Sequence, residues 1–314
     1  MRIRFGFLTA TILLAVGLTG NQALAAANHA VAKKQQAVTY KAAKKQSKKS
    51  PRRQPGLSDE EFSALALKSS AVLVKDQNSG AVIFEKNSQA VLPIASITKL
   101  MTAMVSLDAQ PNLSETLTIG NDDVDLLKGT SSRLRVGAQM TREEMLQIAL
   151  MSSENRAASA LSRHYPGGRD AFVAAMNRKA KDLDLGDTRF EDPTGLTKAN
   201  VSSPRDLAKL VDAAYQYPLI REFTTSASGA VNVSGRTMQY NNTNSLVKNS
   251  AWEIGLSKTG YIAEAGKCLV MQAWMNQKPV IIVLLDSWGK LTRAADANRI
   301  KRWIEHPTSV RREG

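Results

Sequence analysis

Short apolar runs near both ends of the sequence predict the strands of a single antiparallel sheet. The runs AVLVKD (71–76) and AVIFEK (81–86) flank the turn-forming residues QNSG, a pattern typical of a β-hairpin. Three further strand-like runs follow one another late in the sequence, at residues 256–260, 267–275 and 279–288. We expect these runs to pair with the hairpin.

The apolar positions between these runs recur with the helical period instead. A helix is predicted to begin near Ala95, and residues 121–140 are irregular and polar. Further helices are predicted after Thr141, which forms a capping box with Glu144, before HYPGG (164–168), up to Gly186, over 202–216 and over 289–306. This order of elements predicts an α+β fold in which the helical middle packs beside one antiparallel sheet.

The first 55 residues differ in composition from the rest. Residues 1–25 combine two arginines, an apolar run and the small-x-small pattern Ala23-Leu24-Ala25, which predicts a secretory signal peptide, with an uncleaved anchor as the alternative. Residues 26–55 contain lysine, glutamine, alanine and serine but no acid, which predicts a disordered basic linker. Residues 56–314 remain as one folded catalytic domain.

The positive charge is concentrated in this N-terminal part. The formal net charge is +14, and it falls to +3 when the eleven lysines and arginines before residue 56 are left out. Nucleic-acid binding needs a basic face on a folded element, so we expect no nucleic-acid partner. The basic segment is instead expected to touch anionic wall polymer or the membrane surface, or to serve only as a solubilising linker.

Several kinds of chemistry are disfavoured by missing motifs. The three histidines are His29, His164 and His306, and the sequence has neither an HExxH nor a GxSxG motif. We therefore expect no metal site, no cofactor and no serine–histidine–aspartate triad. The single cysteine, Cys268, lies in a strand-like run and is predicted to be a buried structural thiol.

The predicted helix near Ala95 carries Ser96 and Lys99 one turn apart in an apolar segment, PIASITKLMTAMV. A buried ammonium tends to lose its proton, and a neutral amine next to a hydroxyl can accept the proton of a nucleophilic serine. The SxxK pattern alone also fits a lysine that merely points into solvent.

Two more motifs follow in order, Ser153-Glu154-Asn155 and Lys258-Thr259-Gly260. The ordered set SxxK, SxN and KTG is the signature of penicillin-recognising serine acyltransferases. Ser153 is predicted to relay a proton, Asn155 to hold a substrate amide, and Lys258 with Thr259 to bind a terminal carboxylate.

Backbone groups complete the predicted site. Gly260 is expected to let a substrate strand approach the sheet edge, because glycine adds no side chain there. The N–H groups of Ser96 and Tyr261 are candidates for an oxyanion hole.

With these residues, the sequence resembles the low-molecular-mass penicillin-binding proteins, which are D-alanyl-D-alanine peptidases. The resemblance covers nearly all of residues 65–305 and includes LMSSENRAA, HYPGG, DPTGL and RDLAKL. It implies the serine β-lactamase/DD-peptidase fold, an antiparallel sheet flanked by helices with an all-helical subdomain. It also implies a Ser96 acyl-enzyme, covalent inhibition by β-lactam antibiotics, and Lys99, Ser153 and Lys258 in the roles of base, second proton-handling group and carboxylate anchor.

The likeness is strongest to the endopeptidase branch, which implies a periplasmic enzyme that cuts D-alanyl–meso-diaminopimelyl cross-links in peptidoglycan. Relatives that act mainly as carboxypeptidases carry a second β-rich domain and a membrane helix, whereas this sequence ends at Gly314. A carboxypeptidase is therefore the alternative. A β-lactamase or a non-catalytic wall-binding protein is a more distant one, because RFEDPTGLTKAN offers Glu191 and Asp192 without the ExxLN spacing.

Overall fold

A computed structural model describes residues 65–289 and 291–306 of the chain. The strands are β1 (Ser69–Asp76), β2 (Val82–Lys86), β3 (Leu92–Pro93), β4 (Thr116–Thr118), β5 (Gln139–Thr141), β6 (Val201–Ser202), β7 (Ser228–Val233), β8 (Arg236–Asn241), β9 (Glu253–Ile262), β10 (Gly266–Met275) and β11 (Lys278–Ser287). The α-helices are α1 (Lys99–Asp108), α2 (Arg142–Met151), α3 (Asn155–Arg163), α4 (Gly168–Asp182), α5 (Pro204–Tyr215), α6 (Pro218–Thr225) and α7 (Thr292–Glu305). The 3-10 turns are Ala95–Thr98, Asn121–Asp123 and Ser245–Lys248.

The predicted sheet is present, with five antiparallel strands in the order β2-β1-β11-β10-β9. The first hairpin therefore pairs with the three late strands, through β1 and β11. Alternate residues of one strand point to opposite faces of a sheet. In β1, Leu73 packs into a core with the helical middle, whereas Val72 and Val74 pack into a second core with α7. Both faces of the sheet are thus covered, and the α+β prediction is confirmed.

Helix α1 is the central helix of the all-helical region. Eight of its ten residues are buried, and it contacts α2, α3, α4, α5 and α6. The 3-10 turn that leads into it packs against β9. The start of this buried helix is therefore held at the junction between the helices and the sheet.

The predicted starts of α2 and α5 agree with the structure, whereas the last helix begins at Thr292 and not at residue 289. Thr141 caps α2 and forms the capping box with Glu144, and Ser203 caps α5 with Pro204 as its first residue. The end predicted for α4 is displaced, because α4 stops at Asp182 and not just before Gly186. The chain leaves the helix through Asp184, whose φ of 59° is left-handed.

Helix α6 and the β7–β8 hairpin were not predicted from the sequence. Both strands of that hairpin are mostly exposed and carry few apolar side chains, so their pattern lacks a strong period of two. The turn between them is Ser234-Gly235, with both residues at positive φ. A turn of this kind is a hairpin signal that the sequence offered.

Cys268 lies in β10 and is fully buried, as predicted. Burial raises the pKa of its thiol to about 12, so the reactive thiolate is scarce. We expect Ellman's reagent to give no colour with the native protein at pH 8 and one thiol equivalent in guanidinium chloride. Fast reaction of the native protein would contradict the buried position, and because this is the single cysteine of the sequence no control variant is needed.

The predicted signal peptide (1–25) and basic linker (26–55) lie outside the described residues. Within residues 65–289 and 291–306, no helix has both the length and the apolar character needed to cross a bilayer.

Candidate active site

Ser96 and Lys99 stand side by side at the N-terminal end of α1. Ser96 is in the 3-10 turn Ala95–Thr98, and Lys99 is the first residue of α1. In a 3-10 turn, side chains three residues apart eclipse one another. The Lys99 Nζ atom accordingly lies 2.8 Å from the Ser96 Oγ atom, and Lys99 is only 1% exposed. The alternative of a solvent-facing lysine is wrong.

The buried amine of Lys99 has three hydrogen-bond acceptors and none of them is charged. Besides Ser96 it donates to the Asn155 Oδ1 atom at 2.7 Å and to the Thr194 carbonyl oxygen at 2.7 Å. Burial lowers the pKa of Lys99 to about 7, against the opposing charges of Asp192 and Glu154. About half of these amines are therefore uncharged at pH 7.

A second buried lysine lies on the sheet side of the site. The Lys258 Nζ atom donates to the Ser153 Oγ atom at 3.0 Å and to the Thr259 carbonyl oxygen at 3.0 Å. Lys258 is 1% exposed, and its pKa is well below the usual value because of burial and then because of repulsion by Lys99 and Arg293. The predicted pair Ser96–Lys99 and a second, unpredicted pair, Ser153–Lys258, thus lie in one site, held by the start of α1, the α2–α3 connection and β9.

Hydroxyl and amide groups tie the remaining predicted residues to the walls of the site. The Asn155 Nδ2 atom donates to the Thr130 Oγ1 atom at 3.1 Å, so Asn155 links Lys99 to the loop before β5. The Thr259 hydroxyl donates to the Thr243 hydroxyl at 2.6 Å. Tyr261 is 60% exposed on β9.

Gly260 makes room for the turn that carries Ser96. A Cβ atom at Gly260 would lie 2.8 Å from the Ile94 carbonyl oxygen and 3.1 Å from the Ser96 nitrogen. The glycine is therefore explained by close packing of two backbones, a reason that the sequence analysis did not give. The expected approach of a substrate strand stays a prediction. Because the two backbones are so close, the predicted oxyanion donors Ser96 and Tyr261 come from adjoining segments.

Residues 192–200 form a wall of the site beside Lys99. The Asp192 carboxylate accepts hydrogen bonds from the backbone N–H groups of Thr194 (2.5 Å), Gly195 (2.6 Å) and Thr197 (2.9 Å). This turn aims the Thr194 carbonyl oxygen at Lys99. Gly195 has a φ of 81°, and a Cβ atom there would lie 1.9 Å from the Ala95 carbonyl oxygen.

The alternative functional residues have structural partners. The Glu191 carboxylate pairs with Arg189 at 2.8 Å, and both oxygens of Asp192 accept backbone N–H groups. His164 is the C-cap of α3, and its Nδ1 atom lies 2.9 Å from the Ala160 carbonyl oxygen. The described residues contain no group of three metal-ligating side chains.

Known proteins of one family are similar to this chain in sequence and in fold. A family model described as peptidase S11, D-alanyl-D-alanine carboxypeptidase, matches residues 58–289. The chain is 49% identical over 241 residues to a D-alanyl-D-alanine endopeptidase of Pseudomonas aeruginosa, covering 76% of this chain and 78% of the relative. It is 48% identical over 239 residues to a D-alanyl-D-alanine endopeptidase of Escherichia coli K12, covering 76% and 77%.

Among solved structures, the Streptomyces K15 DD-transpeptidase superposes with a TM-score of 0.71 and 29% identity, covering 76% of this chain and 97% of that chain. The fold implied by the resemblance is confirmed by this agreement. With a family model that spans most of the chain, and with a buried lysine beside the serine at the head of α1, the chain belongs to the peptidase S11 family of D-alanyl-D-alanine peptidases.

Proposed function

We propose that this chain is a serine D-alanyl-D-alanine endopeptidase that cuts D-alanyl–meso-diaminopimelyl cross-links of peptidoglycan. The observation that carries the proposal is the contact between the buried Lys99 Nζ atom and the Ser96 Oγ atom at 2.8 Å. The endopeptidase names of two relatives near 49% identity favour this activity over the carboxypeptidase activity in the family description. Carboxypeptidase action remains the second candidate, since both reactions share one acyl-enzyme.

The reaction begins with proton transfer from the Ser96 hydroxyl to the neutral amine of Lys99. The Ser96 oxygen attacks the D-alanine carbonyl carbon, and the N–H groups of Ser96 and Tyr261 bind the oxygen that becomes negative. Ser153 then gives its hydroxyl proton to the departing amine and takes up the proton that Lys99 accepted, and the bond between the carbonyl carbon and that nitrogen breaks. Water next takes the place of the amine, the transfers run in reverse, and the acid is released from Ser96.

The other predicted residues hold the substrate. The cation of Lys258 and the hydroxyl of Thr259 bind the carboxylate of the leaving residue, and Asn155 binds an amide of the acyl part. A bound carboxylate favours the protonated form of Lys258, which offsets the effect of burial on its pKa. No metal or cofactor takes part in these steps.

β-Lactam antibiotics are expected to acylate Ser96 by the same attack on a strained amide. Glu191 pairs with Arg189, Asp192 accepts backbone N–H groups, and neither carboxylate makes a hydrogen bond or ion pair with Ser96 or Lys99. We therefore expect the penicilloyl-enzyme to be long-lived, unlike that of a β-lactamase.

The place of action proposed for the enzyme is the periplasm. Residues 1–25 have the composition of a cleaved signal peptide, and the substrate is a wall polymer. The basic segment 26–55 is proposed to contact anionic wall or membrane.

Replacing Ser96 by alanine is the direct test. After exposure to benzylpenicillin, mass spectrometry of the unaltered protein should give one penicilloyl adduct on Ser96, because only that hydroxyl contacts Lys99. The Ser96→Ala variant should give none, and muropeptide dimers should fall to monomers only with the unaltered protein. The Ser106→Ala variant is a control, since Ser106 is a buried serine further along α1. No adduct at all would favour a non-catalytic wall-binding protein, and an adduct elsewhere would remove Ser96 as the nucleophile.

A further inference from the structure

A cavity of about 340 Å³ opens beside the Ser153 end of the site. Its lining comes from residues 131–133, from the two neighbours of Ser153 and from the end of β8, Tyr240 and Asn241. None of the predicted site residues lines it. Its lining residues have no role in the proposed reaction.

Tyr240, which lines the cavity, has a buried hydroxyl group next to Arg133. Tyr240 is 3% exposed, and no described residue makes a hydrogen bond of normal geometry with its hydroxyl. Leaving such a group unpaired is unfavourable, so native structures pair most buried polar groups. Burial and then the charge of Glu154 raise the pKa of Tyr240 against the opposing effect of the neighbouring Arg133 guanidinium, so the hydroxyl stays protonated and able to donate.

Arg133 supplies a positive charge next to this hydroxyl. Its guanidinium carbon lies 4.0 Å from the centre of the Tyr240 ring, and its Nη2 atom donates to the Gln239 carbonyl oxygen at 2.6 Å. Within residues 65–289 and 291–306, no carboxylate forms an ion pair with Arg133. An arginine has five N–H donors, so donors remain for a carboxylate or a peptide carbonyl of a ligand.

Two of the segments that line the cavity continue into residues bonded to Lys258 and Thr259. Ser152 and Glu154 flank Ser153, whose hydroxyl is bonded to Lys258. Asn241 precedes Thr243, which is bonded to Thr259. A separate cavity of about 580 Å³ is lined by Asn155 and Thr194, the partners of Lys99.

These two positions match the two halves of a cross-linked peptide. In the proposed function, Lys258 and Thr259 hold the carboxylate of the leaving residue. The part of the leaving residue beyond its carboxylate must therefore extend outward from the Lys258 and Thr259 end of the site. A released D-alanine carries only a methyl group there, whereas diaminopimelate continues through a short methylene chain to a second amino-acid centre and the rest of its stem peptide.

We propose that the cavity between residues 131–133, the neighbours of Ser153 and Tyr240 is the subsite for the leaving stem peptide of a cross-link. Arg133 binds a carboxylate of that stem, and the Tyr240 hydroxyl bonds with one of its peptide groups. This inference rests on the proposed endopeptidase function and adds the residues that distinguish a cross-link from a free D-alanyl-D-alanine end.

The test compares two reactions of the same Ser96 in Arg133→Ala and Tyr240→Phe. We measure kcat/KM for hydrolysis of a purified muropeptide dimer and the second-order rate constant for acylation by benzylpenicillin, which carries no leaving stem. The ratio of the first to the second should fall about 10- to 30-fold in Arg133→Ala and about fivefold in Tyr240→Phe, given the usual strengths of charged and neutral hydrogen bonds. The melting temperature of Tyr240→Phe should be equal or higher, because an unpaired hydroxyl is removed.

The control is Arg135→Ala, which removes the same charge from an exposed arginine two positions away and should change neither rate. An unchanged ratio in both Arg133→Ala and Tyr240→Phe overturns the subsite. Failure of the proposed function is a different result, in which the unaltered protein forms no penicilloyl adduct or releases no monomers from dimers.

Discussion

The Lys99→Met variant will acylate with benzylpenicillin at least about a thousandfold more slowly than the unaltered protein, within the range usual for loss of a proton acceptor. Methionine keeps the length and the buried position of the side chain but cannot accept the Ser96 proton. The rate constant is measured by stopped flow or by quenched mass spectrometry, with circular dichroism to show that the variant is folded.

The pH dependence of the unaltered protein tests the same assignment. The base is the uncharged amine, and burial lowers the pKa of Lys99 to about 7. The acylation rate constant should therefore rise about tenfold per pH unit below pH 7 and level off above it. Benzylpenicillin carries a carboxylate, so beyond this plateau the rate should fall again at higher pH as Lys258 loses its proton.

Lys181→Met is the matched control, because Lys181 is an exposed lysine on α4 away from the site. It should keep the acylation rate and its pH profile. A Lys99→Met variant that acylates at a normal rate would remove Lys99 from the mechanism. A rising limb near pH 10 would show instead that Lys99 keeps an ordinary lysine pKa in the folded protein.

The sequence predicted the parts of the site that depend on local spacing. Ser96 and Lys99 are three residues apart, and a single helical turn brings them together whatever else the chain does. Lys258 lies on β9, and the next two strands, β10 and β11, have long apolar runs because they are buried on both faces. Residue spacing within one turn and long apolar runs can both be recognised in a single sequence.

Contacts between distant segments were not predictable in this way. The Thr194 carbonyl oxygen meets Lys99 from 95 positions further along the chain, and nothing in the residues DPTG specifies that distance. Tyr240 lies in a hairpin whose exposed strands have a weak pattern, so its place beside Ser153 was also hidden. Backbone contacts such as that of Gly260 with Ile94 depend on the packing of helix against sheet.

The site combines several arrangements that are individually unfavourable. Two lysines are buried without a carboxylate in contact, and Ala95 and Ser153 have positive φ values of 47° and 63°. Such features persist only where the surrounding structure holds them. The turn of Ala95 and Ser96 is held from two sides, by Gly260 of β9 and by Gly195 of the 192–200 wall. Glycine at these two positions is therefore a condition for placing the nucleophile.

Among the glycines that the structure describes, Gly195 should tolerate an added methyl group least. Its φ of 81° disfavours any side chain by about 1–2 kcal/mol, and the added Cβ atom meets the Ala95 carbonyl oxygen at 1.9 Å, which costs about 1–3 kcal/mol more. We expect the free energy of unfolding to fall by roughly 2–5 kcal/mol, or the melting temperature by about 5–20 °C. Because the clash moves Ala95 and Ser96, acylation by benzylpenicillin should slow by about a hundredfold.

Gly235→Ala separates these two causes, because Gly235 has the same φ of 81° but no atom within 4 Å of an added Cβ atom. Its free energy of unfolding should fall only by the cost of a side chain at a left-handed φ, about 1–2 kcal/mol. Its acylation rate should not change. Gly186→Ala, with neither a positive φ nor a neighbour, should change the unfolding free energy by less than about 0.5 kcal/mol. Equal decreases in the free energy of unfolding for Gly195→Ala and Gly235→Ala would mean that the turn carrying Ser96 moves at no cost. The 192–200 wall would then not hold the nucleophile in place.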